Sequence, residues 1–200
     1  MTETGPTFWL IAGPNGVGKT TFAMKRLEAV SGSINFVNFD EISRGLSPLR
    51  PSAAEREAAR IALARTAYFT AAHTTFAIET TLSGRTQLRM MAAARAAGFA
   101  VNILYFSARN PDICIERIGR RVAEGGHDVT PELVRRRFQR SLANLPSYLA
   151  EADLWRVYEA SGTAPRLALE GHGPKLVFKD DEQVSAGHPD LAAIAGATAA

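Results

Sequence analysis

TFWLIAGPNGVGKTTFAMKRLEAV, residues 7–30, decides how the rest of the chain is read. Phe8 to Ala12 is a continuous apolar run, as a parallel strand covered on both faces requires, and a helical pattern begins at Lys19. Between them Gly13, four residues, Gly18, Lys19 and Thr20 have the spacing of a phosphate-binding loop in its strand-to-helix setting. Glycines let the backbone turn tightly, so several N–H groups point inward at phosphate oxygens, and the helix adds the positive end of its dipole. Pro14, Asn15, Gly16, Val17 and Thr21 complete the candidate cofactor-binding set. Lys19 is placed to reach the β and γ phosphates of ATP, and the Thr20 hydroxyl to ligate Mg²⁺.

Outward from this loop, short apolar runs alternate with longer helical patterns. Ile34 to Phe39, Thr75 to Ile78, Val101 to Phe106 and Arg156 to Glu159 read as further strands. The intervening helices are Lys19 to Val30, Ala53 to His73, Thr86 to Ala97, Pro111 to Glu124 and Pro131 to Leu149. This alternation predicts an α/β fold, a mainly parallel sheet flanked by helices. Arg166 to Leu169 and Lys175 to Lys179, around the turn-rich Gly171 to Pro174, predict a C-terminal hairpin. Residues 1–184 are expected to be one domain and 185–200, which offer little to bury, a mobile tail.

Composition narrows the setting. The chain has 200 residues, 46% hydrophobic and 22% charged, and a formal charge of +3, so its basic balance is a small surplus and not a polycation. The one cysteine, Cys114, excludes an internal disulfide and a thiolate zinc cluster and reads as a buried apolar residue. The N-terminus lacks the pattern of a signal peptide, and no run is long enough to span a bilayer, so a soluble cytoplasmic protein is expected.

In a doubly wound sheet, chemistry gathers just beyond the carboxyl ends of the strands. Asp40 follows INFVNF and Glu79 follows TTFAI, which places both carboxylates on the rim that carries the phosphate loop. There a carboxylate can take a proton from an attacking hydroxyl, hold a metal-bound water or bind sugar hydroxyls. The structural alternative for Asp40 is an N-cap of the segment EISRGL.

Of 19 arginines, eight lie between Arg109 and Arg140. All but Arg109 fall on two helices joined by EGGHDVTP, in which Thr130 reads as an N-cap and Pro131 as the first helical residue. Such an arrangement over about 109–145 predicts a lid that brings cations to a triphosphate. Solvated helix surface is the alternative for any single arginine. A nucleic-acid surface fits poorly, since only Phe138 is available nearby to stack on bases. His127, within the turn, is placed to touch a phosphate or to pack.

The loop string also resembles that of ABC transporter ATPases, and Leu82, Ser83 and Gly84 echo their signature segment. Those proteins need a strand ending in adjacent Asp and Glu, and VNILYFSARNP supplies neither. Taken together, GPNGVGKTT at 13–21, NFD at 38–40, ETTLSG at 79–84 and RIGRRVAEGGHDVTPELVRRRFQRSLANL at 117–145 resemble the zeta toxin family over residues 7–180. The resemblance implies the phosphotransferase-like P-loop fold and an ATP-dependent kinase acting on UDP-N-acetylglucosamine or a similar nucleotide sugar. It implies Asp40 as the base on the acceptor hydroxyl, and Glu79 and Thr81 in the sugar-nucleotide pocket. Arginines such as Arg121 and Arg137 or Arg140 then face the phosphates. It also implies a toxin partnered by an antitoxin, here expected as a separate protein. Thr80 and Ser83 stand where the family carries Gly and Arg, a departure on the acceptor side that leaves the ATP loop intact. Two readings of other kinds stay beside the kinase: an ATP-binding regulatory module with little chemistry, and a P-loop kinase for another small molecule or a nucleic-acid end.

Overall fold

The computed structural model describes residues 5–33, 35–126 and 128–197. Seven strands form one sheet in the order β2-β3-β1-β4-β5-β6-β7. They are β1 (Thr7–Ala12), β2 (Phe36–Val37), β3 (Phe76–Thr80), β4 (Ala100–Ser107), β5 (Leu154–Glu159), β6 (Arg166–His172) and β7 (Lys175–Lys179). Pairing is parallel from β2 to β5 and antiparallel from β5 to β7, which realises the expected parallel sheet and its closing hairpin.

The helices are α1 (Lys19–Ser31), α2 (Phe39–Leu46), α3 (Glu55–Ala71), α4 (Thr86–Ala96), α5 (Pro111–Ala123), α6 (Pro131–Ala150), α7 (Asp181–Ala186) and α8 (Asp190–Ala197), with a 3₁₀ turn at Pro51–Ala54. β1 is central because Phe8 to Ala12 are buried, so both faces of the strand are covered, and Phe8 stacks on Phe76 of β3. Thr130 caps α6 through its hydroxyl, which accepts from Leu133 N, with Pro131 at the first helical position, as the sequence indicates. Asn110 does the same for α5, accepting from Asp112 N and Ile113 N.

Two expectations change. The strand expected from Ile34 to Phe39 is shorter: Ile34 lies outside the described residues, β2 has two residues, and Phe39 already opens α2 because the Asn38 side chain caps that helix. Asp40 is therefore inside the first helical turn and is not the cap. The segment expected as a tail from residue 185 instead carries α8, with Leu191, Ile194 and Ala195 buried at positions i, i+3 and i+4. Its alanine-rich composition hid a narrow apolar stripe, and Phe138 of α6 packs a ring against His188 just before it.

Since β1 connects to β2 on one side and β3 crosses to β4 on the other, the strand order reverses around β1. The crevice beyond its carboxyl end is the place where such sheets bind ligands.

Candidate functional site

The loop leaving β1 is fixed by its surroundings. Gly13 has φ +137° and donates its N–H to Thr80 O at 3.2 Å, and a Cβ there would collide with the Phe106 carbonyl. Gly16 has φ +79° and lies against α5, where a Cβ would meet the Cys114 carbonyl and Ile118 Cγ1. These two positions need glycine for a positive φ and for close approach together.

Lys19 is 5% exposed, its ammonium donating to Pro14 O at 2.9 Å and lying 3.7 Å from Glu79 Oε1. A buried cation so close to a carboxylate on the next strand is an expensive arrangement unless the two serve one site. Glu79 Oε2 also accepts from the Thr20 hydroxyl at 2.8 Å and from Asn38 Nδ2 at 2.9 Å. Register explains this convergence: β3 lies beside β1, with Ile11 opposite Glu79 and Ala12 opposite Thr80, and β2 ends with Val37 opposite Ile78.

Asp40 is exposed at the mouth of this cluster, its backbone N–H held by Asn38 Oδ1 at 2.9 Å. It lines two adjoining cavities. One, of about 630 Å³, runs past the phosphate loop, Met24, Arg44, Arg117, Arg120 and Arg121. The other, of about 190 Å³, is bounded by Phe39, Thr80, Thr81, Gln87 and Arg137. Asn15, Lys19, Asp40 and Glu79 border both, so the two carboxylates and the lysine stand where the cavities meet.

The arginine-rich segment divides by contact. Arg117 donates to the carbonyls of Ala160, Ser161 and Gly162 at 2.6–2.7 Å, which ties α5 to the segment after β5. Arg109 donates to Ala186 O and Arg135 pairs with Asp112, away from both cavities, while Arg120 lines the larger cavity and forms an exposed pair with Glu116. Arg137 reaches the phosphate loop directly, donating to Asn15 Oδ1 at 3.1 Å. Arg121 lines the larger cavity, and its backbone carbonyl accepts from Gly126 N at 2.8 Å. Arg140 is exposed and borders neither cavity, so the structure does not bring it to the cluster. His127 lies outside the described residues.

The segment after β3 is held by bonds that sequence reasoning missed. Leu82 is buried with φ +52°, a left-handed conformation rare for a leucine. Its N–H is met by the Thr80 hydroxyl at 3.1 Å and its carbonyl by Asn144 Nδ2 at 2.8 Å. The Tyr148 hydroxyl donates to Gly84 O at 2.8 Å, and Thr81 Oγ1 and Ser83 Oγ are 2.8 Å apart. Asn144 and Tyr148 are four apart on α6, so that spacing was the available signal. Burial raises the Tyr148 hydroxyl's pKa, keeping it a donor. Burial likewise pushes the Cys114 thiol up to about 11, so it is a packing residue beneath the loop and no nucleophile at neutral pH.

Residues 8–146 match a family described as AAA domain. An uncharacterized protein of Haemophilus influenzae is 31% identical over 126 residues, which are 63% of this chain and 88% of that protein. A structure from the characterization of the PezAT chromosomal toxin-antitoxin system of Streptococcus pneumoniae superposes with a TM-score of 0.67 at 13% identity, covering 98% of this chain and 89% of that chain. The AvrRxo1-ORF1:-ORF2 structure with ATP gives 0.68 at 16% identity, covering 92% of this chain and 63% of that chain. At these identities the likeness is one of fold. Among the described residues, no helix is long and apolar enough to cross a membrane.

Proposed function

The chain belongs to the AAA domain family, and on that premise we propose that it is an ATP-dependent kinase that phosphorylates a hydroxyl of a small acceptor. The observation that carries this reading is the meeting of the Lys19, Thr20 and Glu79 cluster with Asp40 at the junction of two cavities. One cavity holds the phosphate-binding side and the other is free for an acceptor. The residues present fit ATP and Mg²⁺. The glycine cradle tolerates no Cβ at Gly13 or Gly16, Lys19 is buried at its edge, and Thr20 and Glu79 offer adjacent hard oxygens.

Bound ATP with its Mg²⁺ supplies the phosphoryl group. Lys19 neutralises charge at the loop, and Thr20 and Glu79 are the oxygen groups that would hold the metal or its water. Asp40, exposed and at a helix N-terminus, accepts the proton of the acceptor hydroxyl, a contribution of roughly 10²–10⁴-fold. Arg137, tied to Asn15, and Arg121 add positive charge over the cleft. Thr81, with Phe39 and Gln87, borders the acceptor side.

The resemblance to the zeta toxin family favours a UDP-sugar such as UDP-N-acetylglucosamine as the acceptor. That resemblance and the toxin-antitoxin neighbour favour an antitoxin as a protein partner. Mass spectrometry of reactions with ATP, Mg²⁺ and a panel of UDP-sugars and simple polyols tests the assignment. One added phosphate is expected with the wild type and none with Lys19→Ala. Asp40→Asn is expected to bind ATP yet lose transfer, and near-normal turnover in that variant would remove Asp40 as the base.

A further inference from the structure

We propose that Asn38 is a positioning residue that couples the nucleotide end of the site to Asp40. The residue is 7% exposed, and its carboxamide uses both ends. Oδ1 accepts from Asp40 N at 2.9 Å and Glu41 N at 3.2 Å, while Nδ2 donates to Glu79 Oε2 at 2.9 Å. The orientation of the amide follows from its partners, since two N–H donors face one end and a carboxylate faces the other. Glu79 Oε2 in turn accepts from Thr20 Oγ1, so a continuous hydrogen-bonded path runs from Thr20 through Glu79 and Asn38 to the backbone of Asp40.

The path matters because of what holds α2. β2 is two residues long at the edge of the sheet, and Asn38 follows directly from Val37 in register beside Glu79. α2 packs chiefly against α3 and the 3₁₀ turn, and the two-residue strand before it does little to fix its first turn, so the bond from Asn38 to Glu79 sets where the helix begins relative to the phosphate loop. Any change at Thr20 and Glu79 on nucleotide binding is therefore passed to the first turn of α2, which carries Asp40. For the role of Asp40 the inference rests on the kinase reading; the coupling itself does not.

Asn38→Ser and Asn38→Asp test it, because both keep a side-chain oxygen that caps a helix. Serine is too short to reach Glu79, and aspartate sets a second carboxylate against it. Hydrogen exchange at the Asp40 and Glu41 amides is measured with and without Mg²⁺ and a non-hydrolysable ATP analogue, beside kcat and KM for ATP. In the wild type the analogue is expected to slow exchange at these amides. In both variants that protection is lost, KM for ATP stays within about threefold, and kcat falls roughly 10- to 100-fold, as for a misplaced reacting group. Equal protection in wild type and variants, or none in a wild type that binds the analogue, overturns the coupling. Protection that depends on Asn38 in a protein that phosphorylates no acceptor would sustain the coupling and end the kinase reading.

Discussion

Gly16→Ala and Gly18→Ala sit two residues apart in the same loop and should fail differently. Both residues have positive φ, +79° and +105°, so a side chain at either costs about 1–2 kcal/mol in backbone strain. At Gly18 nothing lies within 4 Å of the new Cβ, and strain is the whole effect on stability. At Gly16 the Cβ meets the Cys114 carbonyl and lies 2.9 Å from Ile118 Cγ1, so α5 must shift, an overpacking cost of about 1–3 kcal/mol more. For a chain of this length each kcal/mol moves Tm by about 2–4 °C, so Gly16→Ala is expected to melt roughly 2–12 °C below Gly18→Ala. Thermal unfolding of both variants by calorimetry reads this directly. Titration with an ATP analogue gives the complementary half, because Gly18 borders the larger cavity and its alanine points into open space. Gly18→Ala should thus lose affinity out of proportion to its small loss of stability. Equal melting temperatures, or a lower one for Gly18→Ala, would refute the idea that the approach of α5 fixes Gly16.

Three other perturbations follow from the site. Arg137→Ala removes the donor to Asn15 and should lower kcat at least tenfold more than Arg140→Ala does, since Arg140 borders neither cavity; steady-state kinetics of the pair decide it. Tyr148→Phe withdraws the hydroxyl from Gly84 O and should cost about 0.5–1.5 kcal/mol in denaturant unfolding while raising KM for the acceptor more than KM for ATP. Cys114 keeps its proton up to about 11 in the folded protein against an ordinary 9.0, because burial disfavours the thiolate. The native state thus binds more protons than the unfolded state between those values, so this group's contribution to stability is full below pH 9 and is lost as pH rises toward 11. Cys114→Ala should flatten that alkaline decline in urea titrations, and native Cys114 should resist alkylation at pH 8.

Legibility followed the length of the signal. The strand, loop and helix at 7–30 were plain because glycine spacing, an apolar run and a helical period coincide within one short segment. Asp40 and Glu79 were singled out because each follows an apolar run, and in the structure Glu79 ends β3 while Asp40 lies in the first turn of α2 beside it. Asn38, quoted only within NFD, was given no role because the strand read as running to Phe39, which moved the candidate cap two residues on to Asp40. The arginines were visible as an excess, yet the carbonyl ties and the link to the phosphate loop depend on partners more than 40 residues away, such as Ala160 for Arg117 and Asn15 for Arg137.

The sequence by itself determined the phosphate loop, the parallel α/β sheet and the positions of the two carboxylates, because each is written in local spacing and hydrophobic period. Only the tertiary structure decided that Glu79 is shared by Lys19, Thr20 and Asn38, that Leu82 is held left-handed by Asn144, and that the last helix packs Leu191 into the core. These are contacts between distant segments. They depend on how strands align and helices dock, and a side chain's neighbours across the fold leave no period in its own stretch of chain.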